Sequence, residues 1–233
     1  MAAQVPGVAV PALDGAENYI KTLDHGGYFE VTALSKEDLK KTELYHQNAE
    51  RAKHRRRLRL RPVSRQLEMT AAIKGFEPLY IQRIAQLTNK SNQFNLTTLR
   101  CSEDDIRAMA GDKNDLCLCG KLVDKFGDNG IVTVVAGRQQ GDVLDLTLWL
   151  MSCRVLKRGM EDAMMDTVVA EAAARGVKTI VGHYYPTAKN AMVREFYAQY
   201  DFAKTAEDAD GNTEWTLDVA AYTPKHPHMK IER

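Results

Sequence analysis

The alternation of hydrophobic and polar positions is clearest after Pro62, where it predicts a regular series of strands and helices. Strands are expected where β-branched and apolar residues recur between turn residues, at Leu67 to Ile73, Asp115 to Val123, Ile131 to Gly137, Val143 to Val155 and Val177 to Tyr184. Helices are expected at Pro78 to Gln93, Ser102 to Ala110, Met160 to Arg175 and Lys189 to Tyr200, before a final hairpin around Asp210-Gly211. This order predicts an α/β domain.

The first part of the chain lacks this alternation. Residues 1 to 34 hold scattered Pro and Gly and predict an extended arm, and a helical pattern capped by Ser35 then runs to about Lys53. We therefore expect residues 1–62 to form an N-terminal arm and a basic linker helix, and residues 63–233 to form the α/β domain.

The segment Glu50 to Arg61 carries seven Lys or Arg residues and one His. One interpretation is a solvated helix face. The other is a docking stripe for an acidic partner, either a carrier protein or nucleic acid phosphates. No aromatic residue lies within the segment, so recognition of nucleic acid by base stacking is not expected.

The overall composition is that of a globular protein, with 44% hydrophobic and 27% charged residues and a formal net charge of +1. No charge excess favours nucleic acid or a membrane surface, and no apolar run is long enough to span a bilayer. The start lacks the cationic region of a signal peptide, and the four cysteines are too few for a disulfide scaffold or a zinc site. We expect a cytoplasmic protein without a metal.

The segment Met151 to Glu161 leaves the longest predicted strand and opens a helix. It resembles the Arg/Gln-x-x-Gly-x-Gly/Ala turn of GNAT acyltransferases, in which backbone N–H groups at a helix N-terminus hold the pyrophosphate of coenzyme A or phosphopantetheine. Arg154 and Gly159 fit the spacing, while Lys157 replaces the first glycine and adds a charge able to reach phosphate. The predicted cofactor-binding residues of this turn are Arg154, Val155, Lys157, Arg158 and Gly159. An ordinary basic strand-to-helix turn is the alternative.

Two further features resemble GNAT enzymes. The predicted order β, α, α, three strands, α, β, α and two strands is that of the GNAT fold, which implies a mixed central sheet flanked by helices. The segment Asn190 to Tyr197, followed by Tyr200-Asp201-Phe202, resembles the GNAT ending in which Asn and Tyr precede a Gly-Phe pair, with Asp201 in place of Gly. By this resemblance Tyr197 is a candidate general acid and Asn190 a candidate cofactor contact, although simple packing of the tyrosine is the alternative.

The chain as a whole resembles the C-terminal part of FkbH-like proteins, which prepare glyceryl-type acyl carrier protein thioesters for polyketide pathways. The resemblance lies in Tyr80 to Thr98, Phe126 to Gly130, Met151 to Glu161 and Tyr185 to Asn190. Members of that family join a phosphatase-like HAD half to a GNAT-like half. Because the Asp-x-Asp-x-Thr loop of the HAD half is absent from this sequence, we expect the chain not to dephosphorylate a substrate by itself.

Two further residues are candidates for catalysis. Cys153 follows the long strand beside Arg154, Lys157 and a helix N-terminus, surroundings that favour a thiolate able to relay an acyl group. A buried strand cysteine is the alternative. His183 is a candidate general base near the mouth of the cofactor site, and capping of a sheet edge is its alternative role.

The predicted helix from Pro78 ends in unusually many amide and hydroxyl side chains, which compete with helical hydrogen bonds. We therefore expect a polar helix end or loop. Its two possible roles are a network that binds a hydroxylated acyl group and a self-satisfied structural network. The predicted substrate-binding residues are Asn92, Gln93, Asn95 and Thr97.

These observations predict an acyltransferase that moves a small glyceryl-type acyl group between a coenzyme A or phosphopantetheine thioester and an acyl carrier protein. One alternative is a non-catalytic module that docks the carrier protein, through Arg51 to Arg61, for a separate HAD phosphatase-like partner. An ordinary N-acetyltransferase that uses acetyl-CoA is another.

Overall fold

The computed structural model describes residues 15–26, 43, 45–51, 68–225 and 227–232. By its contacts the chain divides into two units, residues 1–42 and 43–233. The described residues of the first unit form a 3-10 turn, Ala16–Asn18, and helix α1, Tyr19–His25. The predicted extended arm is therefore wrong for these residues, because neither Gly nor Pro interrupts the run between Gly15 and Gly26. The predicted boundary between residues 62 and 63 lies outside the described ranges.

Residues 43 and 45–51 of the second unit are helical, in agreement with the predicted linker helix. Within its described residues, the other α-helices of this unit are α2 (Ile81–Lys90), α3 (Glu103–Gly111) and α4 (Met160–Ala174). The strands of the same ranges are β1 (Thr70–Gly75), β2 (Phe94–Asn95), β3 (Asp115–Asp124), β4 (Gly127–Gln140), β5 (Val143–Met151), β6 (Thr179–Tyr184), β7 (Ala203–Glu207), β8 (Thr213–Asp218) and β9 (Lys230–Glu232).

These strands form one mixed sheet in the order β7-β8-β6-β5-β4-β3-β1-β9. The β5–β6 and β1–β9 pairs are parallel, and the remaining pairs are antiparallel. Helix α4 contributes Met164 and Val168 to a large apolar cluster with Leu146 of β5. A second cluster joins Ile84 of α2 to Leu148 of β5. The predicted α/β architecture, a mixed sheet flanked by helices, is confirmed.

Two predicted elements differ from the structure. The strand expected to continue to Val155 ends at Met151, and Cys153–Val155 form a 3-10 turn. The helix expected from Lys189 to Tyr200 is replaced by two short 3-10 turns, Ala191–Val193 and Tyr197–Tyr200. The buried side chains of this segment keep a helical spacing, at Asn190, Val193, Phe196, Tyr197 and Tyr200, which explains why a helix was expected. The Asn190 side chain instead bonds the carbonyls of Asn95 and Tyr185.

Strands β5 and β6 pair over only part of their length, from Val143 opposite Thr179 to Leu146 opposite Gly182. Beyond that point β2 lies against β5, with Phe94 opposite Met151. The bonds of Leu96 extend this arrangement on both sides: its N–H donates to the Trp149 carbonyl (2.9 Å), and its carbonyl accepts from the Tyr185 N–H (2.8 Å). The segment 94–97, called here the insert segment, therefore fills the gap between the two diverging strands.

Candidate functional site

The turn between β5 and α4 combines two left-handed residues with the first turn of a long helix. Lys157 has φ 60° and Gly159 has φ 83°. Gly159 is the N-cap of α4, so unpaired backbone N–H groups begin directly after it. A Cβ atom at Gly159 would lie 3.2 Å from Pro227 Cβ, which shows that the C-terminal segment passes close over the turn. Glycine fits here for both conformational and steric reasons.

The carboxylate of Glu161 folds back onto this turn. Its Oε1 accepts a hydrogen bond from the Lys157 backbone N–H at 2.8 Å. Burial raises the pKa of the Glu161 carboxyl and the charge of Asp162 adds to the rise, while bonds from the backbone N–H groups of Glu161, Lys157 and Gly159 act in the opposite direction. The N–H groups of the turn thus already have an anionic partner within the chain.

Arg158 points away from this turn into an ion-pair cluster. Its Nη1 lies 3.2 Å from Asp124 Oδ2, and its Nη2 donates to the Arg154 carbonyl at 2.9 Å. Arg51 binds both oxygens of the same carboxylate, at 2.7 and 2.8 Å. The Asp124 side chain is fully buried. Arg51 is therefore a buried structural residue and not part of a docking stripe, and residues 52–61 of the predicted stripe lie outside the described residues.

The other predicted residues of the turn have separate surroundings. The Arg154 Nε donates to the Ser152 hydroxyl at 3.2 Å, and the Val155 side chain is fully buried in the apolar cluster of α4. Cys153 is an exposed free cysteine on the 3-10 turn, not a buried strand residue.

A cavity of about 290 Å³ adjoins the turn. Its apolar wall combines three aromatic residues, Phe94 of the insert segment, Phe196 and Tyr200, with three aliphatic ones. The turn and the start of α4 contribute its polar side, formed by Lys157, Gly159, Glu161 and Asp162. Such a mixture of aromatic walls and a few converging polar groups is typical of small-molecule sites.

Tyr200 is the tyrosine that borders this cavity. Its hydroxyl donates to Asp162 Oδ1 at 2.9 Å, and burial together with the Asp162 charge raises the pKa of the phenol. Tyr197, the predicted general acid, is enclosed instead, with 1% of its surface exposed. The Tyr197 ring packs on Trp149 and Phe202, and burial raises the pKa of its hydroxyl.

His183 lies on β6 with its Nε2 2.7 Å from Asp145 Oδ1 on the adjacent strand. The cross-strand neighbour of His183 is Glu214, and the Tyr185 ring lies 6.0 Å away between centroids. The imidazole is partly exposed, so a carboxylate-oriented histidine faces solvent here. This pairing is chemically suited to proton transfer.

Asn190 and the insert segment form a closed polar network. The Asn190 amide donates to the carbonyls of Asn95 (3.0 Å) and Tyr185 (2.9 Å), and its carbonyl oxygen accepts from the Thr187 N–H at 2.7 Å. Asn95 is fully buried, and its side chain bonds the Ser91 carbonyl and the Thr98 N–H.

The remaining residues of the predicted polar network divide between the interior and the surface. The Thr97 hydroxyl donates to the Thr147 carbonyl at 2.8 Å. Asn92 and Gln93 follow α2 on the surface, and Asn92 accepts a hydrogen bond from Arg100. The expected polar loop is thus present, and its buried members use their polar groups within the chain.

No family model matches the sequence, and no curated protein matches it. Solved structures do match. A putative acetyltransferase of the GNAT family from Desulfovibrio desulfuricans aligns with a TM-score of 0.52 and 13% identity, over 64% of this chain and 99% of that chain. The chain has the GNAT fold. A chimera of the Vibrio cholerae spermidine N-acetyltransferase SpeG and hSSAT aligns with a TM-score of 0.50 and 9% identity, over 64% of this chain and 96% of that chain.

Within this GNAT fold the predicted residues do not form a single cluster. Lys157 and Gly159 border the cavity, whereas Cys153, His183 and Tyr197 are not among its lining residues. The polar side chains of the cavity that the sequence analysis did not assign to the site are Glu161, Asp162, Gln199 and Tyr200.

Local sequence signals for these groups exist but are weak. Acidic residues are common in the first turn of a helix, so Glu161 did not stand out in the sequence as a residue of the cavity. Asp145, the partner of His183, has a clearer signal outside the cavity. It is a charged residue between Leu144 and Leu146 in the apolar run of β5.

Two kinds of feature are absent from the described ranges of this GNAT-fold chain. These ranges contain no helix that combines the length and the hydropathy required to cross a bilayer. They also contain no group of three or more His, Cys, Asp or Glu side chains arranged to hold a metal ion.

Proposed function

We propose that this chain is an acyltransferase that binds a coenzyme A or phosphopantetheine thioester at the turn from Arg154 to Gly159. The observation that carries the proposal is the position of this turn: a left-handed glycine opens a 15-residue helix directly beside a partly aromatic cavity. Backbone N–H groups and the helix dipole favour an anion at the start of α4. The adjacent cavity is where we place the pantetheine arm that is attached to the phosphate of the cofactor.

The resemblance to FkbH-like proteins supports a more specific reaction. We propose transfer of a small glyceryl-type acyl group to the thiol of an acyl carrier protein, with an HAD phosphatase-like domain or subunit as a further partner. The acceptor thiol loses its proton and attacks the thioester carbonyl, the new C–S bond forms, the old one breaks, and the departing thiolate takes up a proton. His183, oriented by Asp145, is the candidate base.

The candidate proton donors are Tyr197, from the sequence, and Tyr200, from its place on the cavity. Both phenols are protonated at neutral pH, and burial raises the pKa of each, which makes them weaker acids than an exposed tyrosine. Cys153 is exposed and remains a candidate acyl relay.

A non-catalytic carrier-docking module is the second candidate function. Two observations favour it. The Glu161 carboxylate already occupies the N–H groups of the turn, and the insert segment is paired with the edge of β5 next to the turn. In such a module the GNAT fold would serve for recognition alone.

Intact-mass spectrometry separates these functions. Holo acyl carrier protein is mixed with the full chain and either a glyceryl thioester or acetyl-CoA, and a further reaction replaces the carrier with a polyamine. Acylated carrier supports the proposed transfer, acetylated polyamine without carrier indicates an N-acetyltransferase, and carrier binding without transfer indicates a docking module. Absence of both transfer and binding contradicts the proposal.

Variants identify the groups involved. Cys153→Ala abolishes a covalent acyl adduct on the chain if that residue relays the group. Tyr197→Phe and Tyr200→Phe each lower kcat if the missing hydroxyl is the proton donor. Tyr45→Phe is the matched control, because Tyr45 is 67% exposed. Equal turnover in all four variants contradicts the three assignments.

A further inference from the structure

The turn that opens α4 holds an anion of its own. We propose that Glu161 occupies the phosphate site of this turn, and that the phosphate of a thioester cofactor binds there by displacing the Glu161 carboxylate. This inference rests on the proposed function, because it concerns the same site, and it identifies Glu161 as the residue that limits the affinity for phosphorylated ligands.

The first argument is geometric. The Glu161 Oε1 lies 2.8 Å from the Lys157 backbone nitrogen, and Lys157 and Gly159 both have left-handed backbone conformations. When successive residues alternate between the right-handed and the left-handed conformation, their N–H groups turn toward one point. The result is a small anion-binding concavity. In this chain the point is occupied by a carboxylate four residues along from Lys157.

The second argument concerns charge. Within the described ranges, Glu161 has no ion-pair partner within 4 Å, and its carboxylate is hydrogen-bonded to backbone N–H groups. The charged neighbour that acts on it is Asp162, which is also an anion. Burial without a compensating cation makes the ionised carboxylate costly to keep in place. The contact is therefore weaker than an ion pair and is open to exchange with a stronger anion.

The third argument concerns space. Glu161 and Asp162 both border the cavity of about 290 Å³, so the carboxylate has a solvent-connected volume into which it can move. A phosphate at the turn would otherwise lie beside an ionised carboxylate, which costs free energy through like-charge repulsion. Displacement of Glu161 removes that repulsion and frees the Lys157 N–H in one step.

The test is calorimetric titration of the full chain with coenzyme A and, separately, with pantetheine, which lacks phosphate. Glu161→Gln keeps the shape of the side chain and removes its charge, and Glu161→Ala removes the side chain's contact with the turn. Glu195→Gln is the matched control, because it makes the same charge change on an exposed side chain. Thermal unfolding of each variant verifies the fold, and Glu161→Gln keeps the test informative if Glu161→Ala does not fold.

We expect Glu161→Gln to bind coenzyme A about tenfold more tightly than the wild type. The neutral amide competes with the phosphate less strongly than the carboxylate does, because a charge-assisted hydrogen bond is stronger than a neutral one. Glu161→Ala should bind at least as tightly as Glu161→Gln. Pantetheine affinity and the Glu195→Gln variant should be unchanged. Equal coenzyme A affinities in the wild type and both Glu161 variants, a parallel gain for pantetheine, or no coenzyme A binding by any variant would overturn the inference.

The outcomes separate this inference from the proposed function. Tighter coenzyme A binding by the Glu161 variants, without acyl transfer by any form of the chain, supports the inference and contradicts the acyltransferase. Acyl transfer by the wild type, with coenzyme A affinity independent of Glu161, supports the acyltransferase and overturns the inference.

Discussion

Two carboxylates flank the turn between β5 and α4, and their environments are opposite. The Asp124 side chain is fully buried and accepts hydrogen bonds from two arginines, Arg51 and Arg158, and from the Phe126 N–H at 2.9 Å. Glu161 is only partly buried and is held by backbone N–H groups. One carboxylate is neutralised by cations, whereas the other relies on dipoles.

This difference separates the permanent part of the site from the exchangeable part. Removing either partner of a buried ion pair leaves an uncompensated charge in the interior, so the cluster around Asp124 is fixed once the chain has folded. A carboxylate held by N–H groups can be replaced by another anion without leaving a buried charge unpaired. The same turn is thus anchored on one side by Asp124 and open to competition on the other at Glu161.

The largest effect is expected from Asp124→Asn, which removes the charge that compensates both arginines. We expect a loss of about 3 to 5 kcal/mol in the free energy of unfolding, the usual consequence of breaking a buried pair. Urea denaturation of the full chain measures it. Asp104→Asn is the control, because Asp104 forms an exposed pair with Arg107 and such pairs contribute at most about 1 kcal/mol. Similar losses in the two variants would contradict the distinction.

A smaller effect is expected from Gly159→Ala, which tests how tightly the turn is held. The left-handed backbone alone costs about 1 to 2 kcal/mol for a residue with a Cβ atom. The new Cβ would also lie 3.2 Å from Pro227. Gly141→Ala is the matched control, since Gly141 has φ +63° and open space around its Cβ position. Thermal unfolding should show a larger loss of stability for Gly159→Ala than for Gly141→Ala. Equal losses would show that the C-terminal segment moves aside with no loss of free energy.

The smallest effect is the pH dependence contributed by Glu161. Because its pKa is raised in the folded chain, the folded state binds a proton more tightly than the unfolded state does. The contribution of Glu161 to the free energy of unfolding is therefore greatest below its unfolded pKa, about 4.3, and is lost as pH rises through its folded pKa.

Urea denaturation of the wild type and Glu161→Gln at a series of pH values isolates this contribution. Asp162, Lys157 and Tyr200 border the same cavity and are the same in both proteins. We expect the difference, wild type minus Glu161→Gln, to decrease from about pH 4 upward. An increase with pH would mean that the backbone N–H groups outweigh burial.

Much of the fold could be predicted because its signals are local. The strand predicted from Asp115 to Val123 ends within one residue of β3. Gly176 follows the predicted helix Met160 to Arg175 and has φ 76°, the left-handed conformation that often ends a helix. The predicted strand from Ile131 misses the start of β4 at Gly127, because register shifts in the β3–β4 pairing break the alternation there. Strand β9 was not predicted, because three residues are too few to show an alternating pattern. Its partner β1 is also distant in sequence, near Thr70.

The candidate site was less accessible to sequence reasoning. The strand-to-helix turn lies directly before α4, where its glycine and basic residues predicted it, because they form a local pattern. Its role as a cofactor site stays a prediction. The partners of each side chain are long-range and could not be inferred. Asn190, for example, bonds the Asn95 carbonyl across 95 positions of sequence. Arg158 likewise could have faced a phosphate or Asp124, and only the packed structure distinguishes the two.

The insert segment has a consequence for how the sheet opens. Leu96 is hydrogen-bonded to β5 through its N–H and to Tyr185 through its carbonyl, and its side chain is fully buried. Local opening must therefore break bonds on both sides in one event. In native-state hydrogen exchange, the amides of Leu96 and Tyr185 should exchange at a common rate, as members of one cooperative unit.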